Sequence, residues 1–229
     1  MFFQKKSLLL FSGILFFCAL GQAQELPKGF VYLHQIDDSI LQKMDFSTSD
    51  NFVGIPIEGY HGSQIICTKA AADSLKKVQY SLQEKYPHYV LQVMDAYRPA
   101  KGVWHIKRWA DNLHDQGTKA KYYPDIDKKE VKKFMASKNS PHSRGSTVDV
   151  AIIDTTTGKS VDYGPKKFGK ASHFDYPDLT QMQRDNRLML RRLMTAQGFK
   201  SLNSEFWHFT LAHEPFPHTY FDFDIVNAK

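Results

Sequence analysis

The sequence predicts an α+β fold in which helices flank an antiparallel sheet. Three observations lead to this fold class. Apolar residues alternate in short segments typical of strands, short turns separate these segments, and segments of helical period lie elsewhere in the chain. The 229 residues contain no internal repeat, low-complexity segment or Pro/Gly-rich linker, so we expect a single domain after a leader.

The N-terminal residues have the pattern of a signal peptide. Lys5 and Lys6 precede an apolar run over 8–20, and the small residues near Ala23 suit signal peptidase. This run is short for a membrane span of about 20 residues. We therefore expect cleavage after residue 23, a mature domain over 24–229 without a membrane span, and a periplasmic or secreted protein.

Charge and cysteine content exclude some classes of function. Loss of residues 1–23 lowers the net charge of +6 by two, and the remaining basic residues are spread along the chain, so the sequence does not predict nucleic-acid binding. Cleavage leaves Cys67 as the sole cysteine, which rules out an internal disulfide. No histidine lies near Cys67 in the sequence, so we expect a buried side chain there rather than a nucleophile.

The first half of the domain is predicted to contain an irregular region with short strands and turns over 28–60, followed by three helices and a strand. Helical spacing of apolar residues predicts helices over 69–85, around 103–113 and over 127–137. Residues 89–94 have strand composition, and this strand would deliver Arg98 to one end of the sheet.

The second half is predicted to supply the remaining strands and one more helix. The segments are a strand over 148–153, its hairpin partner over 159–163, a loop over 164–178, a helix after Thr180, and closing strands from 199 onward and over 206–211. Thr180 and Gln183 have the spacing of a capping box, and Gly198 lies just past the helix end.

The stretch from Ser140 to Asp149 contains two candidate metal ligands, a histidine and a carboxylate. His142 lies in a loop and Asp149 on the strand that follows, while Gly145 lets the loop turn back so that both side chains face one ion. His208, in a second strand-like run, is a third candidate ligand. Three protein ligands with one position left for water are the pattern of a catalytic zinc site rather than a structural one.

In its motifs and their order, the chain resembles the zinc D-alanyl-D-alanine dipeptidases of the vancomycin-resistance type. The motifs that carry the resemblance are Ser-x-His-x-x-Gly-x-x-x-Asp over 140–149, Glu-x-x-His over 205–208, Asp-x-Tyr-Arg-Pro over 95–99, and shorter segments at 50–54, 122–124, 214–217 and 220–223. The resemblance runs from about residue 28 to the C-terminus. It implies the fold shared by D,D-peptidases and hedgehog signalling domains.

The resemblance also implies roles for single residues. His142, Asp149 and His208 would bind one Zn²⁺ per chain, Glu205 would be the general base, and Arg98 would stabilise the transition state. Glu205 and His208 are three residues apart and would face opposite ways on a regular strand. We therefore expect Glu205 to precede the strand or a bulge to separate the two.

Three further residues are candidates for substrate contact, each with a structural alternative. Ser140 contacts substrate or satisfies a backbone amide of its loop. Tyr60 matches a family tyrosine near the substrate, and core packing explains it equally well. Trp207 forms a wall of the site or part of the core.

The sequence departs from the family where the substrate's ammonium is bound. The acid of that subsite aligns with Gly169, and a tyrosine of the same subsite aligns with Phe46. We expect Asp162, Asp175 or Asp178 to take over from the same loop. The free dipeptide would then be cleaved and N-acetyl-D-Ala-D-Ala would not.

These observations predict a zinc dipeptidase whose substrate is the small dipeptide D-Ala-D-Ala. One alternative is a D,D- or L,D-carboxypeptidase acting on peptidoglycan stem peptides, since the central motif does not separate these activities. A second alternative is a non-catalytic, zinc-stabilised cell-wall-binding domain. Glu205 and Arg98 favour an enzyme, because binding alone requires neither.

Overall fold

A six-stranded sheet forms the centre of the protein. The computed structural model describes residues 25–165 and 169–229, and the predicted signal peptide over 1–23 lies outside these ranges. The main sheet has the strand order β2 (Leu41–Gln42), β4 (Tyr89–Asp95), β5 (Thr147–Asp154), β8 (Glu205–Leu211) and β7 (Phe199–Leu202), with β6 (Lys159–Ser160) paired to β5. β1 (Phe30–Tyr32) and β3 (Ile66–Thr68) form a separate two-stranded sheet.

The strand pairings confirm the predicted α+β class. Every pair is antiparallel except β2 with β4, which is parallel. The predicted hairpin is present as β5 and β6, although β6 ends at Ser160. The parallel pair was not predicted, because a strand as short as β2 leaves no periodic signal.

The described ranges contain five α-helices, and four of them were predicted. They are α1 (Lys69–Lys85), α2 (Ala100–Asp111), α3 (Lys119–Tyr122), α4 (Lys128–Phe134) and α5 (Gln181–Ala196). α1 has the predicted bounds, and the capping box of Thr180 and Gln183 is formed at the start of α5. Among the described residues, no helix is both long and apolar enough to cross a membrane.

The core lies between the sheet and the pair formed by α1 and α5. These helices contact each other, α1 also contacts β4, and α5 contacts β7 and β8. Leu75, Val78 and Leu82 of α1 are fully buried, as their spacing predicted. Cys67 is buried and free, and burial raises the pKa of its thiol to about 12, which agrees with a packing role.

The predicted long loop between β6 and α5 is held by a buried arginine that sequence patterns did not reveal. Arg187 of α5 is fully buried and donates to the backbone carbonyls of Tyr163, His173 and Ala171. These bonds fix the described part of the loop against α5.

Candidate active site

Three neighbouring strands place Asp95, Asp149 and His208 in one row. β4 and β5 pair Asp95 with Asp149, and β5 and β8 pair Asp149 with His208. Residues directly opposite one another across a strand pair have their side chains on the same face of the sheet. A register shift between Val93 and Asp95 marks a bulge in β4, which brings Asp95 into this row.

His142 reaches the row from the loop that precedes β5. Residues Pro141–Arg144 form a short 3₁₀ turn, and the Ser140 side chain caps it by accepting a hydrogen bond from the His142 N–H. Gly145 ends the turn with a φ of 82°, and a Cβ atom there would collide with the ring of Phe30. The prediction that Gly145 lets this loop turn back is confirmed.

The three candidate ligands have donor atoms at distances that suit one metal ion. His142 Nε2 lies 3.3 Å from His208 Nδ1, His208 Nδ1 lies 3.1 Å from Asp149 Oδ1, and His142 Nε2 lies 3.5 Å from Asp149 Oδ1. A tetrahedral ion with bonds of 2.0–2.2 Å separates its ligands by roughly 3.3–3.6 Å. The donor triangle therefore has the size of such a site, and these residues form a group that could hold a metal ion.

The surroundings of His142 and Asp149 support this arrangement. His142 Nδ1 lies 2.7 Å from the Ala96 carbonyl, so Nδ1 carries the proton and the Nε2 lone pair faces the other donors. Burial disfavours the charged form of Asp149, but His142 and His208 outweigh this effect and hold its pKa well below the ordinary range.

Glu205 lies beside the donor triangle at the start of β8. Its Oε2 is 3.6 Å from His208 Nδ1. The register of β7 and β8 shifts between Ser201, which pairs with Phe209, and Leu202, which pairs with Glu205. The predicted irregularity between Glu205 and His208 is therefore present, and burial followed by the charge of Asp149 raises the pKa of Glu205.

Arg98 approaches the same site from the end of β4. Its backbone N–H donates to the His142 carbonyl at 3.3 Å, and its guanidinium donates to Asp95. Burial alone would lower the pKa of Arg98, but Asp95 raises it, so the guanidinium keeps its charge.

A cavity of about 400 Å³ joins these groups. Its lining includes the residues predicted for catalysis, metal binding and two substrate contacts, namely Arg98, Ser140, His142, Asp149, Glu205, Trp207 and His208. Tyr60 is not part of this lining. It is buried and its hydroxyl donates to Asp95. Tyr60 therefore has the packing role given as the alternative, and it does not contact this cavity as a substrate-binding residue would.

The predicted substitute for the ammonium-binding acid does not reach the cavity. Asp162, Asp175 and Asp178 are absent from its lining. The Asp162 carboxylate instead accepts hydrogen bonds from the Gly164 N–H and the Gln183 side chain. Phe168, next to Gly169, lies outside the described residues.

Sequence reasoning missed the apolar wall of the cavity. Val103 and Ile106 of α2 and Phe134 and Met135 at the end of α4 face it, together with Phe52. Their helical spacing is also typical of core residues. Only the three-dimensional arrangement distinguishes residues that line the cavity from residues of the core.

Comparisons with known proteins agree with the geometry. Residues 27–226 match the family Peptidase_M15, described as D-ala-D-ala dipeptidase. The chain is 36% identical over 204 residues to the D-alanyl-D-alanine dipeptidase of Enterococcus faecalis, covering 87% of this chain and 100% of that protein. It is 36% identical over 201 residues to the Streptomyces coelicolor enzyme of the same name, covering 86% and 98%. The Escherichia coli enzyme of that name is 28% identical over 171 residues, covering 74% and 77%.

Proposed function

The chain belongs to the D-Ala-D-Ala dipeptidase family, and on this premise we propose that it hydrolyses D-Ala-D-Ala with one bound Zn²⁺. The observation that carries the proposal is the donor triangle of His142, Asp149 and His208, with Glu205 and Arg98 on the same cavity. A binding domain would require neither Glu205 nor Arg98.

The donor set suits zinc. Two imidazole nitrogens and one carboxylate oxygen would hold the ion and leave the fourth position open, as in catalytic zinc sites. When bound, the ion polarises the scissile carbonyl and lowers the pKa of its water to about 7.

Glu205 is proposed to move the proton. Its carboxylate, 3.6 Å from His208 Nδ1, would accept a proton from the attacking water and deliver it to the leaving amine. A raised pKa brings this carboxyl closer to the pH at which a group both accepts and donates a proton.

Arg98 is proposed to hold the oxyanion. A guanidinium carries its charge at any pH at which the enzyme works. Because Asp95 already orients this side chain, little reorganisation is needed when negative charge develops on the substrate.

A substrate and metal assay tests the function. D-Ala-D-Ala should be hydrolysed and L-Ala-L-Ala should not, and the purified protein should contain one zinc ion per chain. Dialysis against a chelator should abolish hydrolysis and added zinc should restore it. Hydrolysis of D-Ala-D-Ala by protein verified to be metal-free would overturn the metal assignment.

The leader supports a proposed location outside the cytoplasm. Lys5, Lys6 and the apolar run over 8–20 have the pattern of an export signal. Expression of the full chain should yield a periplasmic or secreted protein whose N-terminal sequence begins at residue 24. Retention of residues 1–23 in the mature protein would contradict the proposal.

A further inference from the structure

His142 differs from the other two candidate ligands because it lies outside the sheet. Asp149 and His208 are paired residues of β5 and β8, so the strand register fixes the distance between them. His142 lies on the turn Pro141–Arg144, and the position of this turn relative to the strands depends on contacts with other segments. The contacts that hold the turn therefore affect the geometry of the donor triangle.

One of these segments is 213–225, which follows β8 and which we call the C-terminal strap. Its aromatic rings pack on the buried ring of Phe30. The rings are those of Phe216, Phe221 and Phe223, at centroid distances of 5.8, 4.9 and 5.1 Å from the ring of Phe30. Aromatic pairs at such distances stabilise a fold beyond the area they bury. The strap is therefore held firmly on the core and can serve as an anchor for other segments.

The start of the strap is bound to the turn that carries His142. The Arg144 guanidinium donates to both carboxylate oxygens of Glu214, with Nε 2.9 Å from Oε2 and Nη2 2.8 Å from Oε1. The two side chains are only 16% and 10% exposed. A shielded, bidentate pair is stronger and more strictly oriented than an exposed ion pair. Arg144 is two residues after His142, so this pair restrains the turn directly.

The backbone of Phe221 joins the same turn to the segment of Arg98. The Phe221 N–H donates to the Ser143 carbonyl at 2.8 Å, and the Phe221 carbonyl accepts from the Ala100 N–H at 3.0 Å. Ala100 is the first residue of α2 and follows Arg98 by two positions. A single strap residue therefore lies between the turn of a proposed metal ligand and the proposed oxyanion residue.

The strap also caps the helix that begins beside Arg98. Pro99, at the N-cap position of α2, makes no side-chain hydrogen bond to the helix. The Asp222 carboxylate accepts a hydrogen bond from the Lys101 N–H at 2.6 Å, and so supplies the cap from the strap. A negative charge at this end of a helix is also favoured by the helix dipole. Asp222 therefore restrains the first turn of α2 and, with it, the segment that carries Arg98.

We propose that Glu214 and Asp222 are positioning residues of the active site. Glu214 holds the turn of His142 through Arg144, and Asp222 holds the segment of Arg98 through the first turn of α2. Neither acid lines the cavity, so both act through other residues. The proposal rests on the proposed zinc-dependent hydrolysis. It assigns metal retention and oxyanion stabilisation to two different anchor points of one strap.

Zinc affinity tests the role of Glu214 without relying on turnover. In Glu214→Gln the side-chain amide replaces an oxygen that accepts from Arg144, so the turn is held less firmly. The Kd for zinc, measured by competition with a chromophoric chelator, should rise by about 10-fold or more. At saturating zinc, kcat should stay close to that of the natural protein. Glu58→Gln is the matched control, because Glu58 forms an exposed pair with Arg108. Its zinc Kd should not change.

A double-mutant cycle tests whether Glu214 acts through Arg144. Arg144→Gln should raise the zinc Kd by a similar factor, because it removes the other member of the pair. Residues in contact are coupled, so their effects do not add. Protein carrying both Arg144→Gln and Glu214→Gln should therefore have a zinc Kd no higher than that of the weaker-binding single variant. Additive effects of the two substitutions on zinc affinity would overturn this part of the proposal.

Asp222→Ala should produce the opposite pattern. Because Asp222 is exposed, water replaces part of the lost cap. We therefore expect kcat to fall by about 5–10-fold, less than the roughly 10²-fold that displacement by 1 Å can cost. KM and the zinc Kd should not change. Asp222→Asn keeps the acceptor oxygen and should retain kcat. Asp224→Ala is the matched control on the same strap, because Asp224 binds the Lys101 ammonium rather than the backbone of α2.

Urea unfolding distinguishes positioning from packing. If the strap only packs on the core, the variants will lower the free energy of unfolding while the folded protein keeps its zinc Kd and kcat. That result, or an equal loss of both quantities in both variants, would overturn the proposal and leave the proposed function intact. If the natural protein binds zinc but does not hydrolyse D-Ala-D-Ala, the proposed substrate is wrong, and the zinc Kd of Glu214→Gln still decides the role of Glu214. A natural protein that binds no zinc would overturn both proposals.

Discussion

Asp95 holds the guanidinium of Arg98 through a single carboxylate oxygen. Oδ2 accepts hydrogen bonds from Nε at 3.0 Å and from a terminal guanidinium nitrogen at 2.7 Å. The other oxygen accepts from the Tyr60 hydroxyl at 3.0 Å, and Oδ2 lies 3.6 Å from His142 Nδ1. One buried acid therefore positions the proposed oxyanion residue and lies beside a proposed metal ligand.

Asp95→Asn tests this positioning role. The amide keeps the shape but removes the charge that orients Arg98, so kcat should fall by at least about tenfold. Stability should fall by up to about 3–5 kcal/mol, because the buried guanidinium loses its partner. Zinc content should stay near one per chain, since the Ala96 carbonyl still orients His142.

Kinetics, metal analysis and urea unfolding would measure these three quantities. Asp73→Asn is the matched control, because Asp73 is an exposed acid of α1 that pairs with Lys69. An unchanged kcat in Asp95→Asn would show that Arg98 does not need this partner for catalysis.

Arg98→Lys tests the oxyanion role. Lysine keeps the positive charge but cannot reproduce the planar fork of the guanidinium. We expect kcat to fall by about 10²-fold or more while KM changes little, as for loss of a donor that acts in the transition state. Steady-state kinetics would measure both, with Arg108→Lys on exposed α2 surface as control. A raised KM at constant kcat would assign Arg98 to substrate binding instead.

Glu205→Gln tests the proposed base. Glutamine has nearly the same size but cannot accept the proton, so kcat should fall by about 10²–10⁴-fold. Zinc content should not change, because Glu205 lies outside the donor triangle. Metal analysis beside kinetics distinguishes the roles, and Glu84→Gln on the exposed surface of α1 serves as control. Loss of zinc would make Glu205 a ligand.

Periodicity predicted the elements of this fold that are long enough to have a period. The helix over 69–85 and the strand that begins at Thr147 follow directly from their apolar spacing. The two-residue strand β2 and the short helix α3 have no room for a period. Short strands were expected over 28–60 without defined bounds, and α3 was not predicted.

The candidate site was predicted through residues whose spacing has a chemical reason. The ligand set of His142, Asp149 and His208 can be recognised in the sequence because few other roles require these residue types together. The role of Tyr60 was left open between substrate contact and core packing, because a sequence does not distinguish a tyrosine that supports Asp95 from one that contacts substrate. The charge balance of the cavity depends on which of the distant acids line it, and only the fold decides that.

Lys128 is a buried cation outside the active site. It lies at the start of α4 and is 1% exposed, and its Nζ has no hydrogen-bond partner among the described residues. The Nζ atom lies 3.1 Å from the ring centroid of Trp109. Burial lowers the pKa of Lys128 to about 8, an effect that Asp115 opposes.

Lys128→Met should therefore stabilise the protein at neutral pH. The unfolded chain has a lysine pKa near 10.4, so the unfolded state binds more protons above about pH 8, and the free energy of unfolding of the natural protein rises with pH in that window. Methionine avoids the cost of burying a charged ammonium, so the free energy of unfolding should rise by about 1–2 kcal/mol at pH 7. Loss of the cation–π contact with Trp109 reduces this gain. The gain should shrink toward about pH 10. Urea unfolding at several pH values measures this, with exposed Lys129→Met as control. If Lys128→Met is less stable at pH 7, attraction between the ammonium and Trp109 exceeds the cost of burying the charge.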